Sequence, residues 1–240
     1  MKIETSTPVG DIAATSAVAA SVLERYGIDY CCHGKSSLED ACRAKGVSPD
    51  NVKDDIARAI TKAPAPSTDW NTAPLRDLIE HIVTKHHEYL KLELPRVGQR
   101  VRTVARVHGE KDPVALHELE QVFGGMAEEL NLHMHKEEMM LFPAIERSEA
   151  ATQGGGMLPP SPFGTIANPI SVMEHEHDSA GNALIRIREI TKDFDPPPYA
   201  CSTYRAMLEG LKALEADLHV HIHLENNILF PRAIALENKN

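Results

Sequence analysis

The chain of 240 residues has few aromatics, few cysteines and a deficit of basic residues. Phe, Trp and Tyr together make 5%, and no stretch alternates apolar and polar side chains between turn signals, which argues against a sheet protein. No apolar run approaches the roughly 20 residues of a membrane-spanning helix. Residues 1–10 show no basic region followed by a long apolar stretch, so neither a secretory leader nor an anchor is expected. Lys and Arg number 25 against 35 Asp and Glu, a net charge of −10. That balance argues against a nucleic-acid partner, whose binding rests on neutralised phosphates. The four cysteines are Cys31, Cys32, Cys42 and Cys201. Three cluster near the N-terminus and two are adjacent, which is not a secreted disulfide framework. A reducing cytoplasm is the expected compartment.

Histidine is abundant, with 13 in the chain, and helical spacing runs through most of the sequence. An all-α fold is expected. Residues 1–62 read as a small helical domain. One helix is expected over 14–26 with Gly27 as its stop, a second from Ser36 or Ser37 to Ala44 ended by Gly46, and a third from Ser48-Pro49-Asp50 to Thr61. The Pro-rich stretch around Lys62 to Thr68 reads as a semi-rigid linker, taken as 63–72, with Trp70 expected to pin it to the larger domain. Residues 73–240 form that domain and carry four long helices: A (73–107), B (113–147), C (169–192) and D (199–236). A Gly- and Pro-rich connection over 153–168 separates B from C, and Asp195-Pro-Pro-Pro198 separates C from D. Four helices of this length make an antiparallel bundle the simplest packing.

Helices B and D repeat one another. His133-Met-His-Lys-Glu137 with Leu141-Phe-Pro143 matches His221-Ile-His-Leu-Glu225 with Leu229-Phe-Pro231 at a constant offset of 88. His87-Glu88 and His177-Asp178 echo each other at an offset of 90. A duplicated helix pair presents its polar residues twice from opposite sides, which suits a two-metal centre. The alternative, a duplicated structural helix with incidental histidines, gives no reason to place His and Glu at core positions, where unpaired burial is costly.

Helical geometry selects among the histidines, because positions i and i+4 share a face while i and i+2 point nearly opposite ways. The apolar stripe of helix D is Leu211, Leu214, Leu218, His221, Glu225 and Ile228. His219 and His223 fall on the other side, where they form an i,i+4 pair open to an adventitious surface metal. In helix B the stripe is Leu119, Phe123, Met126, Leu130, His133, Glu137 and Met140, which leaves His135 outside. In helix C it is Ile170, Met173, His177, Ala180 and Leu184, with His175 facing solvent. In helix A, Ile79, Val83, His87, Leu90 and Leu94 align and His81 is expected to be exposed. Periodicity alone does not exclude His86. The inward set is therefore His87, His133, Glu137, His177, His221 and Glu225. Imidazole and carboxylate donors suit iron, manganese or zinc and not a thiolate site. Two six-coordinate metals offer about twelve positions; this set with a bridging oxygen fills about ten and leaves about two for small ligands. A His-Glu-x-x-His zinc-protease helix is absent, and the Glu-x-x-His unit of ferritin-like centres occurs in place only once, at Glu174–His177.

These motifs resemble a known family. Helices A to D are similar to a hemerythrin-like di-iron bundle. The whole chain resembles the repair-of-iron-centres (YtfE/ScdA) family, with Tyr26-Gly-Ile-Asp-Tyr-Cys31-Cys32-His-Gly34-Lys35 similar to the double-cysteine motif of its N-terminal domain. Ile170-Ser-Val-Met-Glu174-His-Glu-His177-Asp and the two repeat motifs carry the rest. The resemblance places iron ligands on His87, His133, Glu137, His177, His221 and Glu225, and it favours His87 over His86. It implies two non-haem iron ions joined by an oxo or hydroxo bridge. It also implies repair of iron–sulfur clusters damaged by nitrosative or oxidative stress, by release of iron from a labile centre. Expected partners are damaged iron–sulfur proteins, with nitric oxide or oxygen as small ligands, no nucleic acid, no membrane, and a second copy in a homodimer. Reduction of nitric oxide at the di-iron site is the alternative, so enzymatic activity stays open. An oxygen- or nitric-oxide-binding sensor ranks lower, since such carriers resemble five-His sites. The family's glycine after the cysteine pair is His33 here, a potential ligand or proton donor beside the thiols.

Cys31-Cys32 is expected to act in redox chemistry or iron transfer. Lys35 and the following helix start are expected to lower a thiol pKa. Two adjacent small buried residues in a tight turn are the bland alternative. Cys42 and Cys201 are expected to be packing residues.

Overall fold

The computed structural model describes residues 3–62, 68–154 and 163–237, and all regular elements among them are helical. The N-terminal elements are α1 (Val9–Thr15), α2 (Ala17–Arg25), α3 (Leu38–Lys45) and α4 (Pro49–Lys62). The single helix expected over 14–26 is two helices. Ser16 is extended (φ −171°, ψ 148°) and its hydroxyl accepts the Ala19 N–H, so one residue ends α1 and caps α2. Ser37 caps α3 in the same way, and Gly46 closes it in the left-handed conformation at φ 66°.

Helix A is α5 (Leu75–Ile82), π1 (Val83–His87) and α6 (Glu88–His108). Helix B is α7 (Pro113–Lys136), π2 (Glu137–Leu141) and α8 (Phe142–Gln153). Helix C is α9 (Ala167–Thr191), and helix D is α10 (Ser202–Leu224), π3 (Glu225–Leu229) and α11 (Phe230–Glu237). The expected linker and the B–C connection lie partly outside the described residues, at 63–67 and 155–162. Helix C stops at Thr191, ahead of the proline run, through Lys192, Asp193 and Phe194, all at positive φ.

By compactness the chain divides into two units that cut across the sequence domains. One is Met1–Ile79 with Ser148–Pro159 and Val220–Asn240; the other is Glu80–Arg147 with Pro160–His219. The first unit has its own core, in which Val9, Ile12, Leu23, Leu38, Val52 and Ile56 are buried and Ile222 joins them. In it Glu149 accepts the N–H groups of Leu75 and Arg76 at 2.7 and 3.0 Å, so a carboxylate caps the start of α5. Arg232 donates to the carbonyls of Trp70 and Ala73 at 2.6 and 2.7 Å. The Trp70 segment is thus fixed through its backbone carbonyl.

The second unit is the bundle. Leu90, Leu94, Leu119, Phe123, Leu184 and Leu214 belong to one core drawn from all four helices. The pairings run antiparallel. Glu118 pairs with Arg186 and His133 with Glu176 between B and C. Between A and D, His86 meets Asp217 and Arg100 meets the Ala206 carbonyl. Arg188 grips the nearly buried Glu215 carboxylate with Nε and Nη2, each at 2.6 Å. Removing the guanidinium strands that charge, so Arg188→Met is expected to lower unfolding free energy by roughly 2–3 kcal/mol, measured as a shift in denaturant midpoint.

Candidate metal centre

All six proposed metal ligands are at most 1% exposed. In the bundle unit the donors converge on one carboxylate. Glu137 Oε2 lies 3.4 Å from His87 Nε2 and 3.3 Å from His133 Nε2. His177 Nε2 lies 2.9 Å from His133 Nε2. Donor atoms of His133, Glu137 and His177 all fall within 4.8 Å of one another. In the other unit, His221 Nε2 lies 3.1 Å from Glu225 Oε1 on the next turn of helix D.

The imidazoles are oriented from behind. His87 Nδ1 is 2.8 Å from Glu138 Oε1, and His133 Nδ1 is 2.9 Å from Glu176 Oε2. A carboxylate only accepts, so each Nδ1 carries the proton and each Nε2 presents its lone pair. Lys91 pairs with Glu138 at 2.7 Å and Lys136 pairs with Glu176. These contacts hold both carboxylates below the usual carboxylate range against the upward push of burial. Carboxylate-backed imidazoles are the usual support of metal-ligating histidine. The close approach of two buried Nε2 atoms is repulsive unless a proton or a cation lies between them. The donor set and this approach both fit non-haem iron.

The π-turns explain where helical periodicity slips. In π2 and π3 the N–H groups of Phe142 and Phe230 reach back five residues, to the carbonyls of Glu137 and Glu225. Each turn therefore starts on one of the proposed carboxylate ligands, while π1 ends on His87. The added residue rotates the remainder of the helix. Met140, expected on the helix B stripe, is 48% exposed, and Leu141 takes the inner position. Pro143 and Pro231 come directly after Phe142 and Phe230, so the widened turn precedes a residue with no N–H to donate. Such π-turns recur at functional sites.

Several other sequence expectations are corrected. His223 is buried, not on a surface face; its ring meets Tyr30 edge-on at 5.3 Å and its Nδ1 lies 2.9 Å from Asn227 Nδ2. His81 is half-buried against His86. His86 is buried too, with Nδ1 2.9 Å from Asp217, a carboxylate of the same bundle and not a ligand carboxylate. His135 and His175 are exposed, as the helical faces require.

The double-cysteine loop is acidic. Asp29 Oδ1 accepts the N–H groups of Cys31 and Cys32 at 3.1 and 3.0 Å and lies 3.3 Å from Cys31 Sγ. Its Oδ2 is 2.6 Å from His33 Nδ1. The thiol shared with Cys32, burial and the nearby carboxylate push the Cys31 pKa up, opposite to the lowering expected from Lys35. Asn226 and Asn227 donate to the carbonyls of Cys31 and Tyr30 at 3.1 and 3.0 Å. The Asn227 side chain sits in a slot made by two glycines. A Cβ on Gly10 or Gly34 would stand only 2.3 or 2.5 Å from its Oδ1. The repeat therefore diverges for a reason: Glu138 orients a histidine, while its counterpart Asn226 holds the cysteine loop.

Cys42 is buried as expected, but Cys201 is exposed and lies 3.2 Å from His108 Nε2. The imidazole and nearby backbone N–H groups lower its pKa to about 7. Alkylation of Cys201, followed by peptide mass spectrometry, is expected to reach half its maximal rate near that pH. His108→Ala should move the midpoint upward.

A carboxylate and histidines buried on a four-helix bundle define a hemerythrin-type metal protein. The hemerythrin HHE cation binding domain model matches residues 78–233, and the chain belongs to that family. A second model, ScdA_N, described as a domain of unknown function, matches residues 5–60. The "Iron-sulfur cluster repair protein YtfE" of Escherichia coli O81 (strain ED1a) is 38% identical over 230 residues, covering 96% of this chain and 97% of that protein. The protein of the same name from Escherichia fergusonii is equally similar over the same shares. No helix among the described residues is long and apolar enough to cross a membrane.

Proposed function

We propose that this chain is a cytoplasmic di-iron protein that restores damaged iron–sulfur clusters in other proteins by giving up iron. The observation that carries this reading is the buried grouping of His87, His133, His177 and Glu137, with two imidazoles backed by Glu138 and Glu176. The 38% identity to proteins named for iron–sulfur cluster repair supplies the biological direction.

On this reading His221 and Glu225 complete the centre as the repeat counterparts of His133 and Glu137. The bundle core supports that assignment. Leu90, Leu130, Ala180 and Leu218 lie in one cluster, and each stands three residues from His87, His133, His177 or His221 on the same stripe. Residues 87 and 177 precede their core partner, and 133 and 221 come after it, as an antiparallel arrangement requires. A bound iron pair supplies Lewis-acid and one-electron chemistry. Glu138 and Glu176 keep protons on Nδ1 and lone pairs on Nε2. Glu137 offers a carboxylate between two histidines. A site of imidazole and carboxylate without thiolate holds iron(II) only moderately, since iron(II) stands low in the affinity order, and that suits release.

The test mixes the iron-loaded protein anaerobically, with sulfide and thiol present, with a dehydratase whose cluster nitric oxide has destroyed. Recovery of dehydratase activity in step with iron lost from the donor is expected. No recovery from fully loaded protein, where free iron(II) and thiol do restore the enzyme, contradicts donation. Catalytic release of nitrous oxide in its place points to a nitric oxide reductase.

A further inference from the structure

We propose that Asp29, Cys31 and Cys32 form a second metal site that takes one divalent cation of the zinc(II) or iron(II) class through two thiolates and one carboxylate. One donor atom from each residue lies within 4.8 Å of the others. Two of the three donor–donor distances are close to the edges of a tetrahedral site. With metal–sulfur bonds of about 2.3 Å, two thiolates on tetrahedral corners stand about 3.75 Å apart. Cys31 Sγ and Cys32 Sγ are 3.7 Å apart. With a metal–oxygen bond of about 2.1 Å, the sulfur–oxygen edge is about 3.6 Å, and Cys31 Sγ to Asp29 Oδ1 is 3.3 Å. Adjacent cysteines are poorly placed to form a disulfide with each other, but they can share a cation.

The three donors are held before any ion arrives. Asp29 is fixed by the N–H groups of Cys31 and Cys32 and by His33 on its other oxygen. The loop backbone is pinned by Asn226 and Asn227. His33, which stands where the resembling family has glycine, thereby orients the carboxylate ligand from behind, as supporting groups do in metal sites. Binding converts two thiols to thiolates and releases their two protons to solvent, leaving a tricoordinate cation with one open position. An open fourth position is what an exchanging site needs, whereas structural sites close it. As a station for iron in transit the site rests on the repair reading; as a cation site it stands alone.

The test uses the full-length wild-type protein and zinc(II) as probe, with Cys32 alkylation followed by peptide mass spectrometry. Saturating zinc is expected to slow alkylation of Cys32 at least about tenfold. Cobalt(II) is expected to give sulfur-to-metal charge-transfer absorption that Cys31→Ser and Cys32→Ser remove. Asp29→Asn should weaken binding about tenfold. An alkylation rate unchanged by saturating zinc overturns the proposal without recourse to any variant. Zinc protection with failed cluster repair leaves this site standing and sinks the repair reading, and the converse result sinks this site alone.

Discussion

Glu137→Gln is expected to abolish retention of the proposed metal pair while leaving the iron-free fold intact. The substitution keeps the side chain's shape but removes the charge that faces His87 Nε2 and His133 Nε2 at 3.4 and 3.3 Å. An ion that binds the native state and not the unfolded chain stabilises it by about 4 kcal/mol at a free concentration about 1,000 times the dissociation constant. For a chain of this size that corresponds to a rise in Tm of about 8–16 °C. The wild type should show this rise on loading and lose it to a chelator, and the variant should show little of it. Without iron the variant should be no less stable than the wild type, because a buried carboxylate has become a neutral amide. A full thermal shift in the variant would remove Glu137 from the ligand set. Glu225→Gln, at the repeat-related position, should behave alike.

The second large effect concerns residues that support the proposed ligands without joining them. Glu138→Ala and Glu176→Ala are each expected to weaken iron binding by about 10- to 100-fold without lowering the number of ions bound at saturation. Each carboxylate fixes one imidazole proton on Nδ1, and each is itself paired with a lysine. Without it the ring loses its orientation and His87 or His133 spends part of its time with the proton on the wrong nitrogen. Chelator competition measures the change. Affinity within about twofold of wild type would mean that packing alone sets these rings; the stacked contact of His87 with Phe142 is the competing restraint.

These same residues mark the boundary of what the sequence reveals. Spacing is sufficient for the course of the long bundle helices, since stripes such as Leu119–Phe123–Met126–Leu130 are one-dimensional patterns of a single element. The 88-residue offset is sufficient to pair His133 with His221 and Glu137 with Glu225, because duplication is visible without coordinates. Meetings between helices stay hidden. Glu176 is adjacent to His177 in sequence yet serves His133 on another helix, and Glu138 serves His87. Nothing in local spacing distinguishes them from solvated carboxylates. The π-turns stay hidden because a 3.6-residue period has no place for an extra residue; the recurring Leu-Phe-Pro after each carboxylate is the available sign. His223 looks exposed when helix D is read as meeting solvent on its outer face, where it packs against Tyr30 of the cysteine loop. Ser16 escapes notice as a cap because Ala13, Ala14, Ala17, Ala19 and Ala20, all good helix formers, flank it. Cys201 reads as a packing residue because only its distance to His108, far away in sequence, reveals the activated thiol.

Mössbauer spectroscopy of the iron-loaded protein tests the central claim most directly. The expected spectrum is that of about two irons per chain in a spin-coupled pair with nitrogen and oxygen donors only, as duplicated His and carboxylate ligands on a bundle supply. The coupled signal should be lost in Glu137→Gln and should survive in Cys31→Ser. A single uncoupled iron per chain, or a coupled pair that persists in Glu137→Gln, would contradict a di-iron centre built on these ligands.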